Sequence, residues 1–352
     1  MLNFLEKNKS DAIIVSDPFN MRHISGFAGG EGYVYISAKR KVIITDSRYT
    51  EAALKEAGAG FDVIQSTVTK NDIEIIKELA YADNVKVIGY EDLFLTCNLF
   101  NKIRACCGFD AMQPLGEAVN ELRIIKTEDE LNKLRMAEAI GDKAFTEILN
   151  FIKPGVTELQ IAAELEYSMK KNGAEHLSFD TIVASGKNSS LPHAVPTNKP
   201  VETGDFVTMD FGCTYDGYCS DMTRTIVVGK ASDKQIDIYE TVLKAQLEAM
   251  KVIRSGVVGK EVHKVAADVI AAKGYGEYFG HGLGHSVGLY IHENPRFSPS
   301  ENRQIMANTI ETVEPGIYIP DFGGVRIDDM IVIKEEGFEN FTHSPKELIE
   351  IN

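Results

Sequence analysis

Short apolar runs set between turn residues open the chain. AIIV (12–15), YVYIS (33–37), VIIT (42–45), DVIQ (62–65) and VKVIGYE (85–91) are rich in β-branched and aromatic residues, and each predicts a strand. Between and after them, RYTEAALKEA (48–57), NDIEIIKELA (71–80) and the stretch 92–106 repeat their apolar positions at helical spacing. Strands alternating with helices predict an α/β layered domain, placed at residues 1–122, with a second domain over 123–352.

The second domain opens on Thr127 with Glu130 three positions later, a capping box. Leu131, Leu134, Ala137, Ile140 and Ala144 follow at helical spacing, so a long amphipathic helix begins there. A weak repeat lies beyond it. Lys153-Pro-Gly155 precedes a helical run that stops at Asn172-Gly173, and Arg254-Ser-Gly256 precedes one that stops at Lys273-Gly274. The two copies are 101 residues apart, and each leads into a segment rich in His and Gly (186–193 and 281–292). This predicts a pseudo-symmetric α+β domain with a site where the halves meet.

A chain of 352 residues fits about two domains and needs no disulfide or metal to complete its core. Fifty-two acidic against 37 basic residues leave a net charge of −15, which repels nucleic-acid backbones. The first residues hold no apolar run fit for a signal peptide or a membrane span. The five cysteines include no CxxC pair. The expectation is a cytoplasmic protein with no nucleic-acid or membrane partner.

Candidate chemistry gathers in the second domain. VTMDFG puts Asp210 within one apolar run and SDMTRTIVV puts Asp221 at the start of another, with Asp216-Gly217, a hairpin turn, between them. With that pair at the centre of the turn, position 210 faces 223, and Asp221 is its diagonal neighbour on the same face. Two ionised carboxylates so placed repel unless a cation lies between them. Arg224 has the opposite parity. Two readings stand at this point: a metal ion between the acids, or one acid at the turn edge and one buried. Further donors follow: His281, His285 and His292 among glycines, Glu311 and Glu314 before Pro315-Gly316, and Arg326 with Asp328 on one strand face. A set of carboxylates with one His is hard and oxygen-rich. It suits paired Mn, Co or Zn ions, which activate a water and polarise a carbonyl.

Three motifs do not carry over to function. Gly284-His-Ser286-Val-Gly288 fits G-x-S-x-G but lacks the strand-before, helix-after context of a nucleophile elbow. The glycines of 26–32 lead into a strand, so no helix N-terminus faces an anion. HENPR is not HExxH.

Taken in order, VTMDFG, SDMTRT, HGLGHSVGLYIHE, EPGIY and GGVRIDD resemble the Xaa-Pro peptidases of the pita-bread fold, the prolidase and aminopeptidase P group of metallopeptidases. SGFAGG (25–30), ITDSRY (44–49) and SGKNSSLPHAVPT also resemble that group, so the likeness spans nearly the whole chain. It implies a creatinase-like N-terminal domain, a pita-bread catalytic domain, a homodimer and two divalent metal ions, with Mn ahead of Co or Zn. It implies Asp210 on one ion, Asp221 and Asp328 bridging, and His285 with Glu314 on the other. His193 and His292 become the catalytic histidines, and His281 and Arg326 substrate-binding residues. The substrates would be short proline-containing peptides cleaved between the N-terminal residue and proline, either dipeptides or longer ones. One departure matters. Asp328 stands where the group has Glu, one methylene longer, so either the strand shifts inward or the second ion is held less tightly. The competing reading is a pita-bread peptide- or protein-binding module with an impaired metal site.

Overall fold

The computed structural model describes residues 2–351 and divides into two compact units between Arg123 and Ile124. In the first unit, strands β1 (Ala12–Val15), β2 (Tyr33–Ser37), β3 (Lys41–Thr45), β4 (Phe61–Gln65), β5 (Val87–Tyr90) and β6 (Ala111–Pro114) form one sheet in the order β4-β3-β2-β1-β5-β6. Alternate residues of the central strands feed two cores. Ile14, Tyr35 and Ile44 face α4 (Asp72–Asp83) and α5 (Cys97–Cys107), while Ile13, Val34 and Ile43 face α1 (Leu2–Lys7), α2 (Pro18–Ser25) and α3 (Thr50–Glu56).

Three elements here were not foreseen: α1, α2 and β6. The helix expected from residue 92 starts only at Cys97, because Thr96 caps it by accepting the Leu99 N–H. Helix α2 is fastened by buried Glu91, whose carboxylate accepts the Ser16 and Asp17 N–H groups at 2.6 and 2.8 Å and the Asn20 amide at 2.6 Å.

The second unit begins with α6 (Glu128–Ile148), closed at its N-terminus by the Thr127–Glu130 capping box. Next come α7 (Glu158–Lys171), β7 (His176–Leu177), β8 (Ile182–Ser185), β9 (Phe206–Phe211), β10 (Cys213–Tyr215), β11 (Tyr218–Cys219), β12 (Met222–Val228) and α8 (Asp233–Met250). The chain continues through β13 (Val257–Val258), α9 (Gly259–Ala272), β14 (Gly284–Ser286), β15 (Glu293–Phe297), β16 (Gln304–Ile305) and β17 (Ile310–Val313). It ends with β18 (Gly316–Ile319), β19 (Gly323–Arg326), β20 (Asp329–Ile333), β21 (Phe338–Asn340) and β22 (Glu350–Ile351).

The repeat is structural. Helices α7 and α9 have 14 residues each and start 101 positions apart, and both are flanked by glycines in the left-handed region, Gly155 and Gly173 at φ 92° and 112°, Gly256 and Gly274 at 85° and 83°. One core packs α6 and α7 on β8, β9 and β12. The other packs α8 and α9 on Val313, Ile317, Val325 and Ile331. The strands between these helix pairs carry the site.

Candidate metal centre

Asp216 and Gly217 both take positive φ (45° and 76°), which is the turn that matches strand twist. The hairpin therefore keeps one register: Tyr215 faces Tyr218, Met222 faces Phe211, and Thr223 faces Asp210. Asp210 and Asp221 thus reach one side of the sheet, and both line a cavity of about 830 Å³. Arg224, of opposite parity, points away and is fully engaged elsewhere. It pairs with Asp329 at 2.8 Å and donates to the carbonyls of Asp328, Ser344 and Pro345.

His193, His281, His285, His292, Glu314 and Arg326 line the same cavity. Asp328 does not. It lies buried beneath the wall, its N–H on the Thr223 carbonyl and its Oδ1 accepting the Val313 N–H at 3.1 Å. One oxygen of this short side chain is therefore committed to its own sheet. Burial lifts its pKa well above the carboxylate range, and the charges of Asp221, Glu314 and Asp210 push it the same way.

The hydrogen bonds of His285 define its lone pair. Its backbone N–H donates to Thr312 Oγ1 at 3.0 Å, and its Nδ1 lies 3.1 Å from the Ser286 carbonyl, which can only accept. The proton is therefore on Nδ1, and the bare Nε2 faces Asp221 Oδ2 at 3.4 Å and Glu314 Oε1 at 3.5 Å. Three electron-rich atoms facing each other require a cation among them, a proton or a metal ion. The pKa directions agree. Burial lowers His285, but the Asp221 and Glu314 carboxylates outweigh it and raise it, while burial and neighbouring charge push Asp221 up to about 7. Asp210 contributes a further opening, a buried Oδ1 with no hydrogen-bond partner. A hard divalent cation answers all of these, and the Nδ1–H to carbonyl bond is the usual brace of a metal-ligating His. Among the described residues, no three His, Cys, Asp or Glu side chains already form a closed metal cage.

Arg326 is tied into the site's own side chains. Its guanidinium donates to Asp210 Oδ2 at 2.5 Å, Thr223 Oγ1 at 3.0 Å, Tyr318 Oη at 2.8 Å and the Pro192 carbonyl at 3.2 Å, so four of its five N–H groups are taken. Pro192 precedes His193, so the same side chain steadies the loop that carries that histidine. Tyr318 passes the ordering on. Its oxygen accepts from Arg326, so its proton points to His281 Nε2 at 3.0 Å, and His281 Nδ1–H donates to the Gly282 carbonyl at 2.7 Å. Burial lowers the pKa of His281. At the mouth, the exposed ring of His292 packs against His285 at 4.7 Å, and partial desolvation together with the His285 charge lowers its pKa to about 4.

Of the cavity residues that the sequence did not single out, two bear directly on the chemistry. Tyr318 ends the EPGIY motif, where only the acid drew attention. Arg296 lies four residues after His292 and lines the cavity with an exposed guanidinium that has no hydrogen-bond or salt-bridge partner among the described residues. Contrary to the sequence expectation a strand does lead to Ser286, which ends β14, but no helix follows and the side chain is fully buried, so the nucleophile-elbow context is still missing.

The model of the Creatinase/Prolidase N-terminal domain matches residues 1–125, and that of Metallopeptidase family M24 matches residues 132–335. An Xaa-Pro dipeptidase of Pyrococcus horikoshii is 38% identical over 99% of this chain and 97% of its own. Among solved structures, an Xaa-Pro dipeptidase from Bacillus anthracis superposes with a TM-score of 0.95 at 44% identity, covering 99% of this chain and 97% of that one. An X-Pro aminopeptidase from Thermotoga maritima does so with a TM-score of 0.92 at 37% identity, covering 99% and 100%. The hairpin carboxylates, the braced His285 and the paired helix layers are thus those of a creatinase-type domain followed by a pita-bread domain, and the chain belongs to metallopeptidase family M24.

Proposed function

We propose that the protein is an Xaa-Pro dipeptidase that works with two divalent ions. Asp210 would hold one ion, His285 and Glu314 the other, and Asp221 would bridge, with Asp328 reaching them through the oxygen that its bond to the Val313 N–H leaves free. Divalent ions in such a set supply Lewis acidity and lower the pKa of a water. The rest falls to the chain's own side chains. Arg326 fixes one oxygen of Asp210 and leaves the other for a cation. An Xaa-Pro bond is a tertiary amide without N–H, and its nitrogen must take up a proton to leave. His292, kept neutral near pH 7, and His193 on the opposite loop are the groups placed to handle that proton. His281, held as the Nδ1–H tautomer by Tyr318 and Gly282, shapes the wall.

One observation supports the dipeptide reading: the unpaired Arg296 guanidinium in a cavity otherwise crowded with carboxylates. It is the cation free to take the terminal carboxylate of a proline at the second position. A charged hydrogen bond of that kind contributes about 1.5–3 kcal/mol, or roughly ten- to a hundredfold. The relatives include proteins named for dipeptidase and for aminopeptidase activity, and Arg296 is the feature of this chain that supports the dipeptide reading. The Mn preference, the cytoplasmic site and the homodimer are part of the proposal. Five free cysteines fit a reducing compartment, and no helix among the described residues is long and apolar enough to cross a membrane.

The test compares Ala-Pro with Ala-Pro-Ala after loading with Mn²⁺. Wild type should favour Ala-Pro, and Arg296→Met should lose at least tenfold in kcat/KM on Ala-Pro while changing little on Ala-Pro-Ala. Equal losses on both would remove the carboxylate role.

A further inference from the structure

His292 reaches the cavity because residues 287–293 fold back between β14 and β15. The pairing there is irregular: His285 faces Arg296, then Ser286 faces Glu293. The inside of this turn is filled by a charge. Glu293 is buried, its Oε1 accepts the Tyr290 N–H at 3.2 Å, and its carboxylate lies so close to Gly288 that a Cβ there would sit 2.5 Å from Oε2. A side chain at 288 would push the carboxylate aside. Gly288 N–H donates to the Tyr290 carbonyl, and the Gly288 carbonyl accepts from Cys219 at 2.8 Å, which joins the turn to the hairpin that carries Asp221.

The carboxylate is held by a residue 167 positions earlier. Lys126 Nζ meets Glu293 Oε2 at 2.9 Å, with the two side chains only 1% and 4% exposed. Lys126 is itself fixed, its N–H on the Asn308 carbonyl at 2.9 Å. A second carboxyl near Lys126, Glu311, is fully buried with neither oxygen partnered, so the lysine is committed to Glu293. Apolar side chains of similar volume often stabilise a core as well as a buried ion pair does, so stability alone does not account for this one. Its geometric product is the turn that presents Tyr290 and His292.

We infer that Lys126 and Glu293 are positioning residues for the reaction: a buried ion pair that holds the 287–293 turn and thereby sets His292 against the substrate. This rests on the proposed peptidase reading for its kinetic readout, and on the turn itself for its structural one.

The experiment makes Lys126→Met, Glu293→Gln and the double variant in the full chain, loaded with Mn²⁺. It measures kcat and KM on Ala-Pro, metal content, and amide exchange of residues 288–292. Each single variant should lower kcat ten- to a hundredfold, with KM and metal content within twofold of wild type and faster exchange at the Tyr290 amide. The double variant should be no worse than the poorer single one, because both changes break one device. Should Lys126→Met fail to fold, Glu293→Gln, which keeps the side-chain size and an acceptor for Tyr290, carries the same comparison. Either single variant with kcat within threefold of wild type, or losses that multiply in the double variant, would overturn the inference. If wild type cleaves no Xaa-Pro substrate, the peptidase reading fails. Unchanged exchange at residues 288–292 would separately refute the positioning.

Discussion

Replacing Glu311 with Leu should stabilise the catalytic unit. Glu311 sits on β17 opposite Ile331, wholly buried, and neither carboxylate oxygen finds a donor. An unsatisfied buried polar group costs about 1–3 kcal/mol, and removing it with an apolar side chain of similar size recovers that amount. The charge balance is kept, since Lys126 and Glu293 neutralise each other without it. The gain depends on pH. Burial raises the Glu311 pKa well above the usual range, against the pull of Lys126, so the folded chain holds a proton that the unfolded chain releases. By linkage, its contribution is fully present below the ordinary carboxylate pKa and declines as pH rises from there through the folded value. Glu311→Leu should therefore raise the urea midpoint of this unit more at pH 8 than at pH 5, with an unchanged m-value. Exchange of peptides spanning 304–334, followed through urea, reports this unit alone. A variant less stable than wild type at both pH values, or equally shifted at both, would refute the reasoning.

Other consequences follow from the site. His285→Ala should abolish metal binding at its ion while leaving the melting curve of the stripped protein near wild type, as read by metal analysis and circular dichroism. Asp328→Glu, which extends the carboxylate past its bond to the Val313 N–H, should tighten the second ion by about tenfold, or ~1.4 kcal/mol, in a metal titration. Weaker binding would mean that Asp328 is already at the right depth. Glu91→Ala removes the acceptor of the Ser16 and Asp17 N–H groups that lead into α2 and should destabilise the N-terminal unit by about 1–3 kcal/mol in urea, with metal affinity unchanged.

Local chemistry was the legible part of this molecule. Asp216-Gly217 specifies a turn, the turn specifies the register, and the register brings Asp210 and Asp221 together, as the structure has it. The Thr127–Glu130 box and the glycine-bounded helices of each repeat copy are likewise local signals. Helix α2 could have been read too, since Asp17 caps it, Pro18 begins it and Gly26 ends it at φ 81°. Strand β6 could not, because AMQP is a largely exposed edge strand with no alternation to mark it. Contacts across long separations were invisible for a different reason. Nothing in the periodicity of residue 326 says that its guanidinium meets Asp210, 116 positions away, or that Lys126 ends beneath Glu293. The depth of Asp328, the free Arg296 and the orphaned Glu311 likewise depend on how sheets stack, which hydrophobic pattern alone does not encode.

The central claim is that cations among Asp210, Asp221, His285, Glu314 and Asp328 support cleavage of Xaa-Pro bonds. The most direct measurement is Ala-Pro hydrolysis by chelator-stripped wild type and His285→Ala as Mn²⁺ is added back. Wild type should start inactive and recover with about two equivalents per chain, while His285→Ala stays inactive throughout. Hydrolysis that survives the chelator, or a His285→Ala protein that recovers like wild type, would contradict the account.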